Sequence, residues 1–162
     1  MDEDIQASHA KSFRGKLYMQ SGGRNIPLRL SRNSDNPTWG TPEEDWLQVG
    51  GREDSPTVDF HFDSQTEDRL HYHLCIPWYP RTKKLGVSRN GYLGFYWNAE
   101  VTDFWKVEPL QMTEDGLVCY LRDHRGHRVG ALHNDPHFNG DRIAFLNVEE
   151  GVVATFLLKQ LG

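Results

Sequence analysis

The chain has 162 residues, 37% of them hydrophobic and 25% charged, with a formal net charge of -5. That length suits one domain with a sizeable core. The acidic balance argues against a protein whose main task is gripping phosphate backbones, so no nucleic-acid partner is expected.

The N-terminal MDEDIQASHAKS has neither a basic n-region nor an apolar run, so it reads as a polar tail over 1–12 and not as a signal peptide. From residue 13 onward strand signals dominate and helix signals are nearly absent. Residues 13–66 contain four segments of apolar, variable, apolar form: Leu17-Tyr18-Met19, Leu28-Arg29-Leu30, Leu47-Gln48-Val49 and Phe60-His61-Phe62. Residues 67–113 repeat the series as Leu70-His71-Tyr72, Leu85-Gly86-Val87, Leu93-Gly94-Phe95 and Trp105-Lys106-Val107. Residues 114–162 give it again as Leu117-Val118-Cys119, Val129-Gly130-Ala131, Ile143-Ala144-Phe145 and Phe156-Leu157-Leu158. Such alternation marks half-buried strands, and the turn signals between them include Ser21-Gly22-Gly23, Asn90-Gly91 and Asn139-Gly140.

The steps between matching segments are similar: Leu17 to Leu70 is 53 residues, and Leu70 to Leu117 is 47. One match of this kind is weak, but twelve in the right order define a threefold repeat. The pattern resembles a β-trefoil, an all-β fold of three four-stranded units forming a six-stranded barrel capped by three hairpins. The expectation is a single domain over 13–162 with units of about 13–66, 67–113 and 114–162. Closure of the barrel would remove exposed sheet edges.

Within that fold, GYLGFYWNAEVTDFWKVEPL resembles repeats of fascin-like and agglutinin-type trefoils. The run PTVDFHFDSQTEDRLHYHLCIPWYPRTKKLGVSRNGYLGFYW is similar to the amaranthin-type agglutinin domain in its order of F-x-F, acidic loop, strand, aromatic loop and Gly-Tyr-Leu. The Gln-x-Trp signature of ricin-type lectins is absent. Its matching positions read Asp59-Phe60-His61, Asp103-Phe104-Trp105 and Ala154-Thr155-Phe156, so no ricin-type galactose site carries over. What the resemblance implies is a surface site for a sugar, in a lectin of the kind used in defence or as the targeting part of a toxin.

The residues offer no catalytic constellation, and a non-enzyme without cofactors is expected. His71 and His73 alternate along one strand and so share a face, while His124, His127, His133 and His137 flank loops of the third unit. No HExxH or CxxC spacing organises them for a metal. Cys75 and Cys119 are too few for a disulfide framework and sit in apolar, strand-like runs where thiols are usually inert. There is no G-x-S-x-G elbow and no phosphate loop. No run of apolar residues is long enough to span a bilayer. Synthesis in the cytosol, or export without a classical leader, is the corresponding expectation.

A ligand would have to be held by aromatics outside the repeated apolar slots. Leu93, Phe95, Trp105 and Val107 occupy those slots and belong to the frame. Tyr92, Tyr96, Trp97, Trp78, Tyr79, Trp39 and Trp46 do not. Sugars lay a C–H face on an aromatic ring while amides and carboxylates take their hydroxyls. Trp97 beside Asn98, Trp39 beside Asn36, and Asn134-Asp135 in the third unit are therefore the candidates, with Tyr96, Tyr92 and Trp78. This chemistry suits a neutral carbohydrate on a glycan or glycoprotein, and the chain is compatible with a homodimer. The units are unequal, so one or two working sites are expected.

Two protein-binding readings compete. IPWYPRTKK, stiffened by Pro77 and Pro80 and carrying Arg81, could be the loop of a protease inhibitor. The run Glu43–Arg69, with nine carboxylates against two arginines, would suit a basic partner of a cytoskeletal or immunity-type module.

Overall fold

The computed structural model describes residues 1–31, 45–132, 137–138 and 141–162, with the backbone alone for His137, Phe138, Asp141 and Arg142. Fourteen strands are present among these residues. They are β1 (Phe13–Ser21), β2 (Arg24–Leu30), β3 (Leu47–Gly50), β4 (Val58–Gln65), β5 (Leu70–Trp78), β6 (Arg81–Val87) and β7 (Leu93–Trp97). The remainder are β8 (Trp105–Met112), β9 (Leu117–Arg122), β10 (Gly130–Leu132), β11 (His137–Phe138), β12 (Asp141–Asn147), β13 (Val152–Val153) and β14 (Thr155–Gln160). All twelve repeated segments fall on these strands, Val129 alone lying just before its own.

Six strands close an antiparallel barrel. β1 pairs with β4, β4 with β5, β5 with β8, β8 with β9, β9 with β14, and β14 returns to β1. The alternation explains the closure, because each barrel strand turns one row of apolar residues inward. Leu17, Phe60, Leu70, Tyr72, Trp105, Val107, Leu117, Cys119, Phe156 and Leu158 are all at most 2% exposed. Burying each large apolar side chain contributes about 1.5–3 kcal/mol. The Trp105 ring keeps its one polar atom satisfied, donating from Nε1 to the Leu85 carbonyl at 2.9 Å.

Outside the barrel, β2 pairs with β3, β6 with β7, and β10 with β12. These three hairpins are stitched together by the β3–β12 ladder and by bridges from Trp46 to Gly94 and from Tyr92 to Asn147. Buried Ser55 ties hairpin to barrel, donating to the Leu17 carbonyl at 2.6 Å and accepting from the Leu28 amide at 2.9 Å.

The segment expected as a polar tail is instead folded: Glu3–His9 form helix α1. The Asp2 side chain caps it, accepting from the Asp4 and Ile5 amides, and Glu3 and Asp4 place negative charge at the favourable end. Ile5 and His9 are buried, and the helix docks where β1 begins and β14 ends. Tyr72 donates to the His9 carbonyl, and Gln160 donates to that of Ser8 at 2.7 Å. No helix of the described residues is long and apolar enough to cross a membrane.

Candidate functional site

The candidate aromatics do not form one surface. Successive strand residues face opposite sides, so β7 sends Tyr96 and Trp97 to different faces of the β6–β7 hairpin. Tyr92, just before β7, goes to a third place. It stacks on Trp46 with ring centroids 5.1 Å apart, and both meet the edge of Phe145. That cluster lies where the three hairpins join, so Tyr92 serves packing.

Tyr96 lies half-buried across a pair of glycines that face each other in the ladder, Gly86 and Gly94. A Cβ on Gly94 would sit 3.1 Å from the Tyr96 hydroxyl, and one on Gly86 3.3 Å from its ring. The glycines are thus the reason the ring can lie flat on the hairpin. Beside it is a cleft of about 370 Å³ lined by Ser88, Glu100, Val101 and Asp103.

Trp97 faces the other way and meets Trp78, the second candidate brought to the same spot. The hairpin register explains this: Trp78 pairs with Arg81 across the β5–β6 turn, and Lys83 pairs with Trp97 across β6–β7. The Lys83 ammonium is therefore held between two indole rings, 4.0 Å from the centroid of Trp78 and 4.8 Å from that of Trp97. It also donates to Asp45 Oδ2 at 2.6 Å. This ion pair is nearly dry, with side chains 12% and 6% exposed. Asp45 is itself fixed, its carbonyl accepting from the Phe95 amide and its amide donating to the Ser31 carbonyl.

The rings on either side remain open, Trp78 at 39% and Trp97 at 38% exposure. Arg81 reaches over Trp97 at 5.7 Å, and Tyr79, 97% exposed, stands at the tip of the β5–β6 turn. Asn98 follows Trp97 as the exposed first residue of a short 3-10 turn, Asn98–Glu100. The arrangement is a two-ring platform with the Lys83 ammonium between its rings, ion-paired to Asp45, and a guanidinium at its edge. Cation–ring attraction of about 0.5–2 kcal/mol per contact helps hold the rings in place.

Lys83 and Asp45 were not singled out by the sequence, and Arg81 was noted only as a loop cation. The alternation of IPWYPRTKK, folded at Tyr79-Pro80, would have placed Lys83 beside Trp78, but its pairing with Trp97 depends on the β6–β7 register. Nothing local pointed to Asp45, which lies just before β3 in the first unit. Trp39, Asn36, Asn134 and Asp135 lie outside the described residues.

The histidines are spread over separate partners. His73 Nε2 is 3.3 Å from Asp63, His124 Nδ1 is 3.5 Å from Asp103, and His127 Nδ1 is 3.1 Å from Asp123. His71 and His73 do share a face, on which Phe104 stacks against His71 at 4.7 Å. Among the described residues no three His, Cys, Asp or Glu side chains converge to hold a metal ion. Burial pushes the Cys119 thiol up to about 12 and raises that of Cys75, which leaves both thiols protonated and unreactive at neutral pH.

A separate cleft of about 460 Å³ lies between the β1–β2 and β8–β9 turns, lined by Gln20, Asn25, Asp115 and Thr155. It is polar and has no aromatic ring. No family model, curated protein or solved structure matches this chain.

Proposed function

We propose that this protein is a carbohydrate-binding lectin built on a β-trefoil frame. The threefold series of segments and the barrel with its three outer hairpins support the fold assignment. The observation that carries the functional reading is the pair of open indole rings, Trp78 and Trp97, braced by Lys83 and Asp45. A rigid aromatic surface is what a sugar's C–H face needs, because little ordering cost remains when the ligand lands. Asn98 beside it supplies a donor and an acceptor for hydroxyls. The polar cleft at Gln20 lacks a ring and fits this role less well.

A glycan array is the direct test, repeated with Trp97→Ala and Trp78→Ala variants whose fold is checked by circular dichroism. Binding that disappears in either variant supports the reading. An array without hits, together with unchanged tryptophan fluorescence in saccharide titrations, sinks it.

The second reading, a protein-docking module, draws on Tyr79, whose ring projects almost wholly into solvent. A protease-inhibitor role is less favoured, because pairing extends to Trp78 and Arg81 and leaves a turn of two residues. That turn is too tight to lie extended in a protease cleft.

A further inference from the structure

The geometry points to an acidic saccharide as the ligand of the tryptophan platform, its carboxylate or sulfate received by Arg81. This rests on the carbohydrate reading above and changes its expected ligand from neutral to anionic.

The charge balance at the platform carries the argument. Among the described residues Asp45 is the carboxylate at this site, and it is turned inward to Lys83, 6% exposed, so it offers no acceptor to a ligand. Glu100, the nearest carboxylate in sequence to Trp97, lines the Tyr96 cleft on the other face of the hairpin. Lys83 is matched by Asp45. Arg81 is exposed, rests over Trp97 and has no carboxylate partner among the described residues. Among the described residues the platform therefore presents one positive charge without a carboxylate partner, on a chain whose net charge is -5.

A guanidinium offers planar, paired donors that match a carboxylate or sulfate, and its cation–ring contact with Trp97 at 5.7 Å limits the freedom it must lose on binding. A neutral sugar would leave that guanidinium without a new acceptor. An anionic substituent one ring-width from a sugar stacked on Trp97 would meet it. The chain's net charge of -5 works against anions in general, so an acidic ligand here depends on a local cation such as Arg81.

The experiment is a tryptophan-fluorescence titration of the full chain with oligogalacturonate, with its carboxyl-reduced neutral counterpart, and with a sulfated oligosaccharide of similar length. Arg81→Gln, Arg81→Lys and Trp97→Ala are measured alongside the unaltered protein. The expected result is a preference of about tenfold or more for an acidic over the neutral chain at low salt, shrinking as salt rises. Arg81→Gln should abolish that preference, bringing the affinity for acidic chains down to that for the neutral one, and Arg81→Lys should keep part of it. The better of the two acidic chains identifies the anion.

Equal binding of acidic and neutral chains, or a preference that survives in Arg81→Gln, overturns the acidic assignment and leaves the lectin reading standing. No response to any saccharide removes both. Arg81-dependent binding to anionic vesicles or to an acidic protein, without saccharide binding, also overturns the assignment.

Discussion

Lys83→Met tests whether the platform depends on its buried ion pair. The substitution keeps the length of the stem and deletes the ammonium. Asp45 is then left charged at 6% exposure, with its 2.6 Å partner gone. Breaking a buried pair from one side costs about 3–5 kcal/mol. The residual 12% exposure of Lys83 lets water reach the vacated space, so the lower end, about 3 kcal/mol, applies here. Two cation–ring contacts are lost as well, each about 0.5–1 kcal/mol. For a domain of this size, about 3 kcal/mol lowers the melting temperature by about 6–12 °C. Asp45→Asn combined with Lys83→Met should recover most of that loss, because no charge is stranded. Asn is the right replacement because Asp45 sits at φ 66, a left-handed conformation that Asn tolerates. The assay is urea and thermal unfolding followed by far-ultraviolet circular dichroism, with acrylamide quenching of the tryptophans as a second readout. A single variant that loses less than about 1 kcal/mol, with unchanged quenching, would show the pair to be screened like a surface one and refute the brace.

Two further outcomes concern the frame. Gly116→Ala should cost well over 2 kcal/mol in chemical denaturation, because at φ 149 its Cβ would come 2.5 Å from the Leu158 carbonyl oxygen. Gly23→Ala, at φ 76 with nothing within 4 Å, should cost only about 1 kcal/mol from backbone conformation, and equal losses would contradict the steric account. Acid should loosen the fold in two separate windows. Burial holds His9 and His71 below their ordinary value of 6.5, Lys106 adding to the effect at His71. The fold therefore favours their neutral forms: the contribution is fully present above 6.5 and is lost as pH falls below it, when the unfolded chain takes up protons that the fold resists. The buried Nε2 of His71 has no hydrogen-bond partner among the described residues, so protonation would strand a donor there. Asp54 is held at about 2 by Lys16 and Tyr18, and its contribution is lost only between about 4 and 2. Denaturation midpoints across pH should fall below 6.5, and His9→Gln should reduce that slope; a flat profile from 7.5 to 5 would count against it.

The barrel was readable because half-buried strands write their burial at a period of two, and the same slots recur in each unit. Leu17, Leu70 and Leu117 are all inward for one geometric reason. Helix α1 escaped because seven residues offer little periodicity, and one of its two buried positions is a histidine. The Asp2 cap followed by Glu3 and Asp4 was its only local signal. The candidate aromatics could be picked out in the sequence as residues off the repeated slots, but their grouping could not. Tyr92, Tyr96 and Trp97 are near neighbours in sequence, yet the pleat sends them to a hairpin junction, a cleft and an open platform. Trp78 and Trp97 meet only through strand register, and the Asp45 brace comes from a different unit.

That same register decides how many platforms one chain can carry. Trp97 lies four residues beyond Leu93, and the positions four beyond Leu47 and Ile143 are Gly51 and Asn147. Gly51 has no side chain and sits at φ 80. Asn147 is 1% exposed, donating to the Asn90 carbonyl while its oxygen accepts from the Glu149 and Glu150 amides. One slot of a repeated frame thus holds a ring in the second unit, a turn in the first and a buried amide hub in the third. The hub needs its polar side chain to join hairpins, and the turn needs a residue without one, so neither could become a ring without damage to the frame. The tryptophan platform is therefore a property of one unit. Under the proposed carbohydrate reading, cross-linking of a glycosylated surface through this site requires two chains.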